Sequence, residues 1–386
     1  MDVFGLRTPG SIYGGAGCLK KINEVIEKES AHKILVFTDK GIERSGLSKM
    51  LTDILDVLSI DYRVIDSLMA EPSYKDVERA LESIGAEDFD LIIAIGGGSV
   101  MDAAKLGSVL INASYKITDL LLDPQVARKS IKSVMIPTTC GTGSEATPNA
   151  IVLVPEKDVK IGIVNAEMIP DYVFLDPEMI KNLPSHILAG TAVDALAHAV
   201  ECYTSKKATA FSDLYALASA KMIFQNIREA YVDPTNLVAK SNLLIAAYYG
   251  GVAITGSGTT AVHALSYPLG GKYHIPHGVS NAILLPHVME FNKPSCSGRL
   301  AEICDAINPG FEAKSKDEKA EHIIEELLDV VKVTQIPTNL KEFGVEMDQL
   351  ENLVGSASQV TRLLVNNPRE MKKDDIRNIY LKIMKE

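Results

Sequence analysis

The stretch DLIIAIGGGSVMDAAKLGSVLINA, Asp90–Ala113, decides the fold class of this chain. It opens with a short apolar run typical of a buried strand, turns at Gly96–Gly98, and continues in a helical pattern from Val100. Three glycines let a backbone approach phosphate closely, and the following helix start supplies N–H donors. The stretch predicts either a pyrophosphate site or a tight structural turn, because Met101 stands where the GxGxxG fingerprint has its last glycine.

The flanking sequence repeats this alternation of strand-like and helix-like segments. Three further segments have the same buried-strand pattern: KILVFT (Lys33–Thr38), DYRVID (Asp61–Asp66) and KSVMIP (Lys132–Pro137). Their βαβα order predicts a parallel sheet with helices on both faces. An irregular β-rich stretch spans about 149–176, and long helical patterns follow the Asn182-Leu183-Pro184 boundary. We therefore predict a dinucleotide-binding α/β domain over residues 1–182 and an all-helical domain over residues 183–386.

Composition narrows the class of protein. A formal net charge of −11 over 386 residues disfavours nucleic acid or an anionic membrane as a partner, since both require a basic face. No apolar run reaches the roughly 18 residues of a spanning helix, and no basic leader precedes an apolar segment. The five cysteines form no CxxC pair. These features favour a cytoplasmic enzyme acting on a small molecule.

A second informative stretch, TAVDALAHAVE (residues 191–201), predicts a metal ligand pair. Asp194 and His198 lie one helical turn apart and share a face, either as ligands or as a surface pair. His263 and His277 follow in GTTAVHALSYPLGGKYHIPHGVSNAILL, and one carboxylate with three imidazoles suits Fe(II) or Zn(II) with a position left free. On spacing alone, the neighbouring His274 or His287 competes with His277.

Three other polar features fit either nucleotide binding or an ordinary structural role. Asp39, after the strand KILVFT, is either a ribose-binding acid or a solvated residue that opens a loop. PTTCGTGSE (Pro137–Glu145) is rich in hydroxyls and glycines, which suits ligand contact or an ordinary surface loop. Lys160 either reaches a phosphate or ribose, or is solvated.

Taken together, IGGGSVMDAAK, PTTCGTGSE, VDALAHAVE and HALSYPLGGKYHIPHGVSNAILLPHVMEFN resemble the motifs of the iron-dependent, or group III, alcohol dehydrogenases, over nearly the whole chain. The resemblance implies an amino-terminal Rossmann-like parallel-sheet domain that binds the dinucleotide. A carboxyl-terminal all-helical metal-binding domain would follow, in a dehydroquinate-synthase-like architecture. It also implies hydride transfer between a small primary alcohol and its aldehyde, with Fe(II), or alternatively Zn(II), and with NAD rather than NADP. The family further suggests a homo-oligomer, at least a dimer.

The resemblance assigns roles to individual residues. It makes the metal ligands Asp194, His198, His263 and His277, in preference to His274 and His287. The implied cofactor-binding residues are Asp39, Gly97, Gly98, Ser99, Asp102, Thr138, Thr139, Thr142 and Lys160. Asp39 corresponds to an acid that favours NAD by repelling a ribose 2′-phosphate.

The chain departs from the family pattern at two places. Tyr267 stands where many members have a second histidine four residues after the third ligand, so its hydroxyl is the candidate for shaping the pocket or relaying a proton. Glu71-Pro72-Ser73 replaces a frequent Asn-Pro-Thr beside the cofactor site. Two other functions fit the same sequence features: a lyase of the dehydroquinate-synthase type with no net redox change, and a non-catalytic binding protein.

Overall fold

Two units make up the chain in a computed structural model that describes residues 3–157, 159–308, 310–311 and 313–385. One unit is Arg7–Leu183, and the other joins the residues up to Leu6 with those from Pro184 onward. The division after Leu183 lies one residue from the predicted boundary. In this division residues 3–6 are grouped with the helical unit, whereas the predicted first domain includes them.

The α/β unit is built on a sheet of six parallel strands. Its described strands are β1 (Ser11–Gly14), β2 (Lys33–Phe37), β3 (Asp61–Ile65), β4 (Leu91–Gly96), β5 (Lys132–Pro137), β6 (Asn149–Val154), β7 (Val159–Val164) and β8 (Tyr172–Leu175). The sheet order is β1-β8-β5-β4-β2-β3, whereas β6 and β7 form a separate antiparallel pair. The predicted parallel sheet is confirmed, and β1 is an additional edge strand that the sequence patterns did not indicate.

Both faces of this sheet are covered by helices, which explains the continuous apolar strands. The described helices are α1 (Ile22–Glu29), α2 (Lys40–Ser45), α3 (Leu47–Val57), α4 (Tyr74–Glu82), α5 (Gly98–Leu110) and α6 (Ile117–Leu122). Ile92 and Ala94 of β4 pack in the core with residues of α4, α5 and α6. The alternate residues Leu91, Ile93 and Ile95 pack in the core with residues of α1 and α3. Every residue of β4 is buried, as expected for a parallel strand covered on both sides.

The second unit is helical, with no strand among its described residues. Its helices are α7 (Ser185–Thr204), α8 (Ala210–Val232), α9 (Leu237–Ser257), α10 (Ala261–Tyr273), α11 (His277–Ile307), α12 (Lys316–Val333), α13 (Leu350–Ser358), α14 (Thr361–Leu364) and α15 (Lys373–Lys385). Within the described part of the chain, α9 alone is long and apolar enough to cross a membrane. However, 61% of its most apolar window is buried inside the protein, as in the core helices of globular proteins.

A close approach of α7 and α11 fixes where α11 begins. An added Cβ on Gly278 would lie 2.1 Å from the carbonyl oxygen of Gly190 and 2.6 Å from its carbonyl carbon. Those atoms belong to the backbone of α7, so a side chain at position 278 could be accommodated only by moving one helix. Gly278 follows His277, and Gly190 lies one turn before Asp194. The glycine therefore sets the distance between two residues of the predicted metal site.

We expect Gly278→Ala to separate α7 from α11 and to lower the free energy of unfolding by about 1–3 kcal/mol, the usual range for overpacking. Urea denaturation followed by circular dichroism measures the loss. Gly298→Ala is the matched control, because it lies in the same helix and has no neighbour within 4 Å of an added Cβ. Equal stability of the two variants would contradict the close approach.

Candidate metal centre and nucleotide site

Three helices of the second unit bring three predicted ligands together. Asp194 lies in α7, His263 in the first turn of α10, and His277 is the first residue of α11. Their ligand atoms all lie within 4.8 Å of one another. Oδ1 of Asp194 is 3.7 Å from Nε2 of His263 and 3.7 Å from Nε2 of His277. The geometry therefore joins residues that are separated by more than 80 positions in the sequence.

His198, the fourth predicted ligand, lies on the same face of α7 but outside the group of three whose ligand atoms are within 4.8 Å of one another. Its Nε2 is 3.9 Å from Oδ1 of Asp194, and its ring stacks on that of His263 with centroids 4.6 Å apart. The competing His274 is exposed and ends α10 in a left-handed conformation. The side chain of Asp194 is 3% exposed and that of His277 is 29% exposed, so access to the cluster is from the side of His277.

The donor set fits a divalent metal ion. Two ligands each ~2.1 Å from one ion are about 3.4 Å apart in a tetrahedral arrangement, so small side-chain rotations would close the observed spacings. Asn281 gives independent support, because its Nδ2 is 2.6 Å from Oδ1 of Asp194 and 3.2 Å from Nε2 of both His263 and His277. One amide nitrogen can face these three atoms only if they are directed at a common point.

Glu201 is a residue of this centre that the sequence analysis did not identify. It is fully buried on α7, and its Oε2 contacts Nδ1 of His263. Its Oε1 accepts hydrogen bonds from the backbone N–H of Thr260 at 3.1 Å, from the Thr260 hydroxyl at 2.6 Å and from the N–H of Val262 at 2.7 Å. A carboxylate that accepts the Nδ1 proton leaves Nε2 of the histidine available to a metal.

The spacing of polar residues in the sequence could have identified Glu201. Asp194, His198 and Glu201 are spaced i, i+4 and i+7, which places all three on one face of an otherwise apolar helix. No comparable signal marks Asn281, which lies one turn after His277 in an apolar segment. Its Oδ1 is buried and has no hydrogen-bond partner among the described residues.

The charges of the cluster are coupled. Burial alone would raise the pKa of Asp194, but the imidazoles of His198, His277 and His263 outweigh it and hold this pKa far below its usual range. Burial would likewise lower the pKa of His263, but the carboxylates of Glu201 and Asp194 raise it to about 9. A buried cluster that stabilises positive charge at its centre is the electrostatic environment that a metal cation requires.

Tyr267 lies one turn after His263 on α10. Its ring centroid is 6.2 Å from that of His277. Burial raises the pKa of Tyr267, so the phenol stays protonated at neutral pH. The structure therefore places a neutral hydroxyl beside the candidate ligands, where many members of the resembling family have histidine.

In the α/β unit, the glycine turn lies where β4 ends and α5 begins. Gly97 is the N-cap residue of α5 and carries no side chain to satisfy the first N–H groups of the helix. An added Cβ on Gly98 would lie 2.7 Å from the side chain of Thr142, and one on Gly97 would lie 3.7 Å from that of Thr139. These threonines follow β5, the neighbour of β4. Backbone donors and hydroxyls thus meet at the carboxyl end of the sheet, where nucleotides bind in open α/β folds.

Asp39 lies at the same edge, directly after β2. It lines a cavity of about 470 Å³ together with Gly97, Gly98 and Ser99. Its Oδ1 also accepts the N–H groups of Gly41 and Ile42 and so caps α2. The hydroxyl oxygen of Thr138 is buried without a hydrogen-bond partner among the described residues. Asp39 therefore both stabilises a helix start and lines the cavity.

Asp102 and Lys160 are held by protein partners. Asp102 accepts hydrogen bonds from the hydroxyl of Ser144 at 2.5 Å and the N–H of Ile151 at 2.9 Å, and it pairs with the fully buried Lys105 at 2.9 Å. Its carboxylate thus fixes the start of α5 to the following loop and strand. Lys160, on β7, pairs with Glu71 at 2.5 Å, and its side chain is 8% exposed.

We expect Glu201→Gln to weaken metal binding by about 10- to 100-fold, the usual effect of removing a carboxylate behind a histidine ligand. In either orientation the new amide NH₂ faces a donor, at the start of α10 or at His263. Titration of metal-free protein with Co(II) against a chelator measures the affinity, and circular dichroism checks folding. Glu145→Gln is the control, since Glu145 is equally buried but belongs to the α/β unit. Unchanged cobalt affinity in Glu201→Gln would contradict the role of Glu201.

Comparison with known proteins agrees with this geometry. The model of the iron-containing alcohol dehydrogenases matches residues 9–177, and that of their carboxyl-terminal region matches residues 188–384. Long-chain-alcohol dehydrogenase 1 of Geobacillus thermodenitrificans is 34% identical over 98% of this chain and 96% of its own length. Among solved structures, a 1,3-propanediol oxidoreductase aligns at TM-score 0.94 and 27% identity, covering 99% of this chain and 100% of its own. The sulfoacetaldehyde reductase of Bifidobacterium kashiwanohense, solved with NAD+, aligns at TM-score 0.90 and 27% identity over both whole chains.

These matches confirm the predicted Rossmann-like and all-helical architecture. They also confirm the predicted activity, which is metal-dependent and NAD-linked oxidoreduction of alcohols and aldehydes, with iron as the metal. The same relatives support this reaction over the lyase alternative. The chain belongs to the iron-containing alcohol dehydrogenase family.

Proposed function

We propose that this enzyme interconverts a small primary alcohol and its aldehyde at an iron ion held by Asp194, His198, His263 and His277. The observation that carries the proposal is the convergence of ligand atoms of Asp194, His263 and His277 within 4.8 Å, with the Asn281 amide directed at the same point. Iron bound there would act as a Lewis acid on the substrate oxygen. Glu201 would hold His263 in the tautomer that presents Nε2, and Asn281 would orient Asp194.

The nucleotide is proposed to bind the α/β unit. The N–H groups at Gly97, Gly98 and Ser99 would bind the pyrophosphate, and Thr138, Thr139 and Thr142 would supply hydroxyls. Lys160 would contact the cofactor after exchanging its partner Glu71, and Asp102 would act by fixing α5. When bound there, the reduced cofactor NADH would supply the hydride for aldehyde reduction, and NAD+ would accept it during alcohol oxidation. Asp39 lines the cavity beside the glycine turn, which supports a preference for NAD over NADP by repulsion of a 2′-phosphate.

Tyr267 is proposed to act on the substrate side of the centre. Its neutral hydroxyl lies one turn from His263 and within electrostatic reach of the Asp194 carboxylate. A hydroxyl there can donate a hydrogen bond to the substrate oxygen or pass its proton toward solvent, and the ring limits the size of the pocket. Two solved relatives are named for propanediol and sulfoacetaldehyde, whereas another relative is named for long-chain alcohols, so the names of relatives do not set the chain length. The ring of Tyr267 beside His277 supports the small alcohol or aldehyde that we propose.

We further infer a cytoplasmic homo-oligomer, at least a dimer, that has no nucleic acid or membrane partner. The net charge of −11 and the five free cysteines support this setting. Strand β1 supports the assembly, because it is an edge of the six-stranded sheet and Ile12 on it is 45% exposed. An uncovered edge strand can pair with a second copy.

The proposal is tested with metal-stripped protein restored anaerobically with Fe(II) or Zn(II), by measuring NADH and NADPH oxidation with a panel of small aldehydes. We expect iron-dependent turnover with NADH preferred. Asp194→Asn should lose more than about 100-fold in iron affinity, since removing a ligand costs more than removing an outer partner. His274→Asn is the control, because Asn tolerates the left-handed backbone of this exposed position. Full activity of Asp194→Asn, or of the metal-free enzyme, would contradict the proposal.

A second prediction concerns the pair Glu71–Lys160. The backbone N–H of Glu71 donates to Oγ of Ser99 at 3.0 Å, so the Glu71 carboxylate lies beside both the glycine turn and Lys160. Removing this charge should tighten NADH binding about fivefold, because a partly exposed charge near a pyrophosphate costs roughly 1 kcal/mol.

Glu71→Asn and Glu71→Asp are the matched pair for this measurement. The backbone of Glu71 has a φ of +55°, which both asparagine and aspartate tolerate, so the two variants differ mainly in charge. NADH fluorescence reports binding directly, and the chain has no tryptophan to interfere. Tighter binding in Glu71→Asn alone is the expected result. Equal dissociation constants for the two variants would exclude an electrostatic effect of Glu71.

A further inference from the structure

A fully buried lysine lies behind the glycine turn of the α/β unit. Lys105 is on α5, about two turns after Gly98, and its side chain has no exposed surface. Taking an ammonium group out of water costs several kcal/mol unless hydrogen bonds and an opposite charge replace the solvent. The partners of Lys105 therefore show which parts of the fold it holds together.

All the donors of this ammonium are directed at protein groups. Nζ of Lys105 donates to the carbonyl oxygen of Ser144 at 3.0 Å, to Oγ1 of Thr147 at 3.2 Å and to the carbonyl oxygen of Asn149. Its charge is matched by Oδ1 of Asp102, which lies 2.9 Å away and one turn earlier on α5. An ammonium has three N–H groups, so these contacts leave none for a ligand. Lys105 can therefore act on a cofactor only through the segments that it holds.

Ser144 connects the lysine to a hydroxyl of the proposed nucleotide site. Its carbonyl oxygen accepts from Lys105, and its N–H donates to Oγ1 of Thr142 at 3.3 Å. Thr142 lies against the glycine turn, since an added Cβ on Gly98 would be 2.7 Å from its side chain. The position of the Thr142 hydroxyl relative to the turn is therefore set, through one residue, by the buried ammonium.

The same ion pair reaches the antiparallel strands β6 and β7. Asn149, whose carbonyl oxygen accepts from Lys105, is the first residue of β6. Oδ2 of Asp102 accepts the N–H of Ile151 on the same strand at 2.9 Å. Strand β7 pairs with β6 and carries Lys160. The pair of Lys105 and Asp102 thus attaches to α5 both segments that carry proposed cofactor contacts.

We propose that Lys105 is a positioning residue for the cofactor, which holds Thr142 and the strand of Lys160 at the distance from the glycine turn at which they can contact one bound dinucleotide. The proposal rests on the proposed function, because that function places the nucleotide at this turn. Lys105 touches neither cofactor nor substrate and takes no part in hydride transfer. Its loss weakens NADH binding and leaves the candidate metal centre, which belongs to the other unit, unchanged.

The first test variant is Lys105→Met, because methionine is unbranched and apolar and removes all three donors. NADH fluorescence gives the dissociation constant, and steady-state rates of the iron-loaded enzyme give kcat and KM. We expect the dissociation constant and the KM for NADH to rise about 10-fold, since charged hydrogen bonds to the loop are lost. The kcat at saturating NADH, the KM for the aldehyde and the Co(II) affinity should stay within about twofold of the original values, because the metal centre keeps its geometry.

A second variant, Thr147→Val, keeps the proposal testable if Lys105→Met does not fold, since that substitution leaves the buried Asp102 without its cation. Thr147→Val removes one acceptor of Lys105 and preserves the shape of the side chain and the charge of the cluster. We expect NADH to bind about threefold more weakly, with the same unchanged kcat and Co(II) affinity.

Ser130→Ala is the matched control, because it loosens the opposite end of α5. Oγ of Ser130 donates to the carbonyl oxygens of Ser108 at 3.0 Å and Ile111 at 2.7 Å. This variant should lose stability in urea denaturation without any change in NADH affinity. Weaker NADH binding in Ser130→Ala as well would show a general effect of stability and would overturn the proposal.

Direct binding separates this proposal from the proposed function. If the original protein binds NADH and Thr147→Val binds it equally well, the role of Lys105 is refuted while the nucleotide site stands. If the original protein binds no NADH, the proposed nucleotide site is wrong and the role of Lys105 falls with it. If NADH binds but no aldehyde is reduced, the proposed reaction fails, and the dissociation constants of the variants still decide the role of Lys105.

Discussion

Two carboxylates buried on one face of α7 impose the constraint on which the catalytic unit depends. Asp194 and Glu201 are two turns apart, and neither is exposed to more than a few per cent. An uncompensated buried charge costs several kcal/mol, so each must be matched by donors from other helices. Asp194 accepts a hydrogen bond from the amide of Asn281 on α11. Glu201 accepts hydrogen bonds from the N–H groups at the start of α10 and contacts Nδ1 of His263. The helices that carry the remaining ligands are thus fixed by the same charges that shape the site.

The close approach of α7 and α11 belongs to the same constraint. Gly190 and Gly278 allow backbone contact one turn from Asp194 and beside His277, so the two ligands face each other without long side chains. Short, buried ligands have few alternative rotamers. Packing of α7 against α11 therefore restricts the positions from which these two ligands can reach an ion.

Sequence patterns predicted most of this arrangement, and the failures have physical causes. The apolar runs located β2, β4 and β5 because strands covered on both faces are continuously hydrophobic. The edge strand β3 was also predicted, although most of its residues are exposed or half-buried. Strand β1 was not predicted because it is a four-residue edge strand whose residues alternate between half-buried and exposed. Spacing identified Asp194 and His198, but the roles of Glu201 and Asn281 depend on which helix faces them, which one sequence does not encode locally. The roles of His263 and His277 rested on the family resemblance, since His274 lies only three residues from His277.

In the α/β unit, the two roles predicted for one residue do not exclude each other. Asp39 was either a ribose-binding acid or the opening of a loop, and it caps α2 with Oδ1 while lining the cavity beside the glycine turn. A parallel sheet makes such double use common, because every strand ends at the same edge and feeds a helix start there. Asp102 is the opposite case. Its two oxygens are directed to Ser144, Ile151 and Lys105, so its influence on a cofactor passes through the backbone that it holds.

The two positions at which this chain departs from the family pattern lie outside the cluster of candidate metal ligands. The candidate ligands and their carboxylate partners are buried and bonded on several sides, so substitution there would leave charges unpaired. Tyr267 is one contact further out, with its ring beside that of His277. Substitution of Tyr267 would therefore change the shape beside the candidate ligands without leaving any of their buried charges unpaired. Glu71 departs from the pattern in the α/β unit, where it bonds Ser99 and pairs with Lys160, so its effect is on the charge beside the glycine turn.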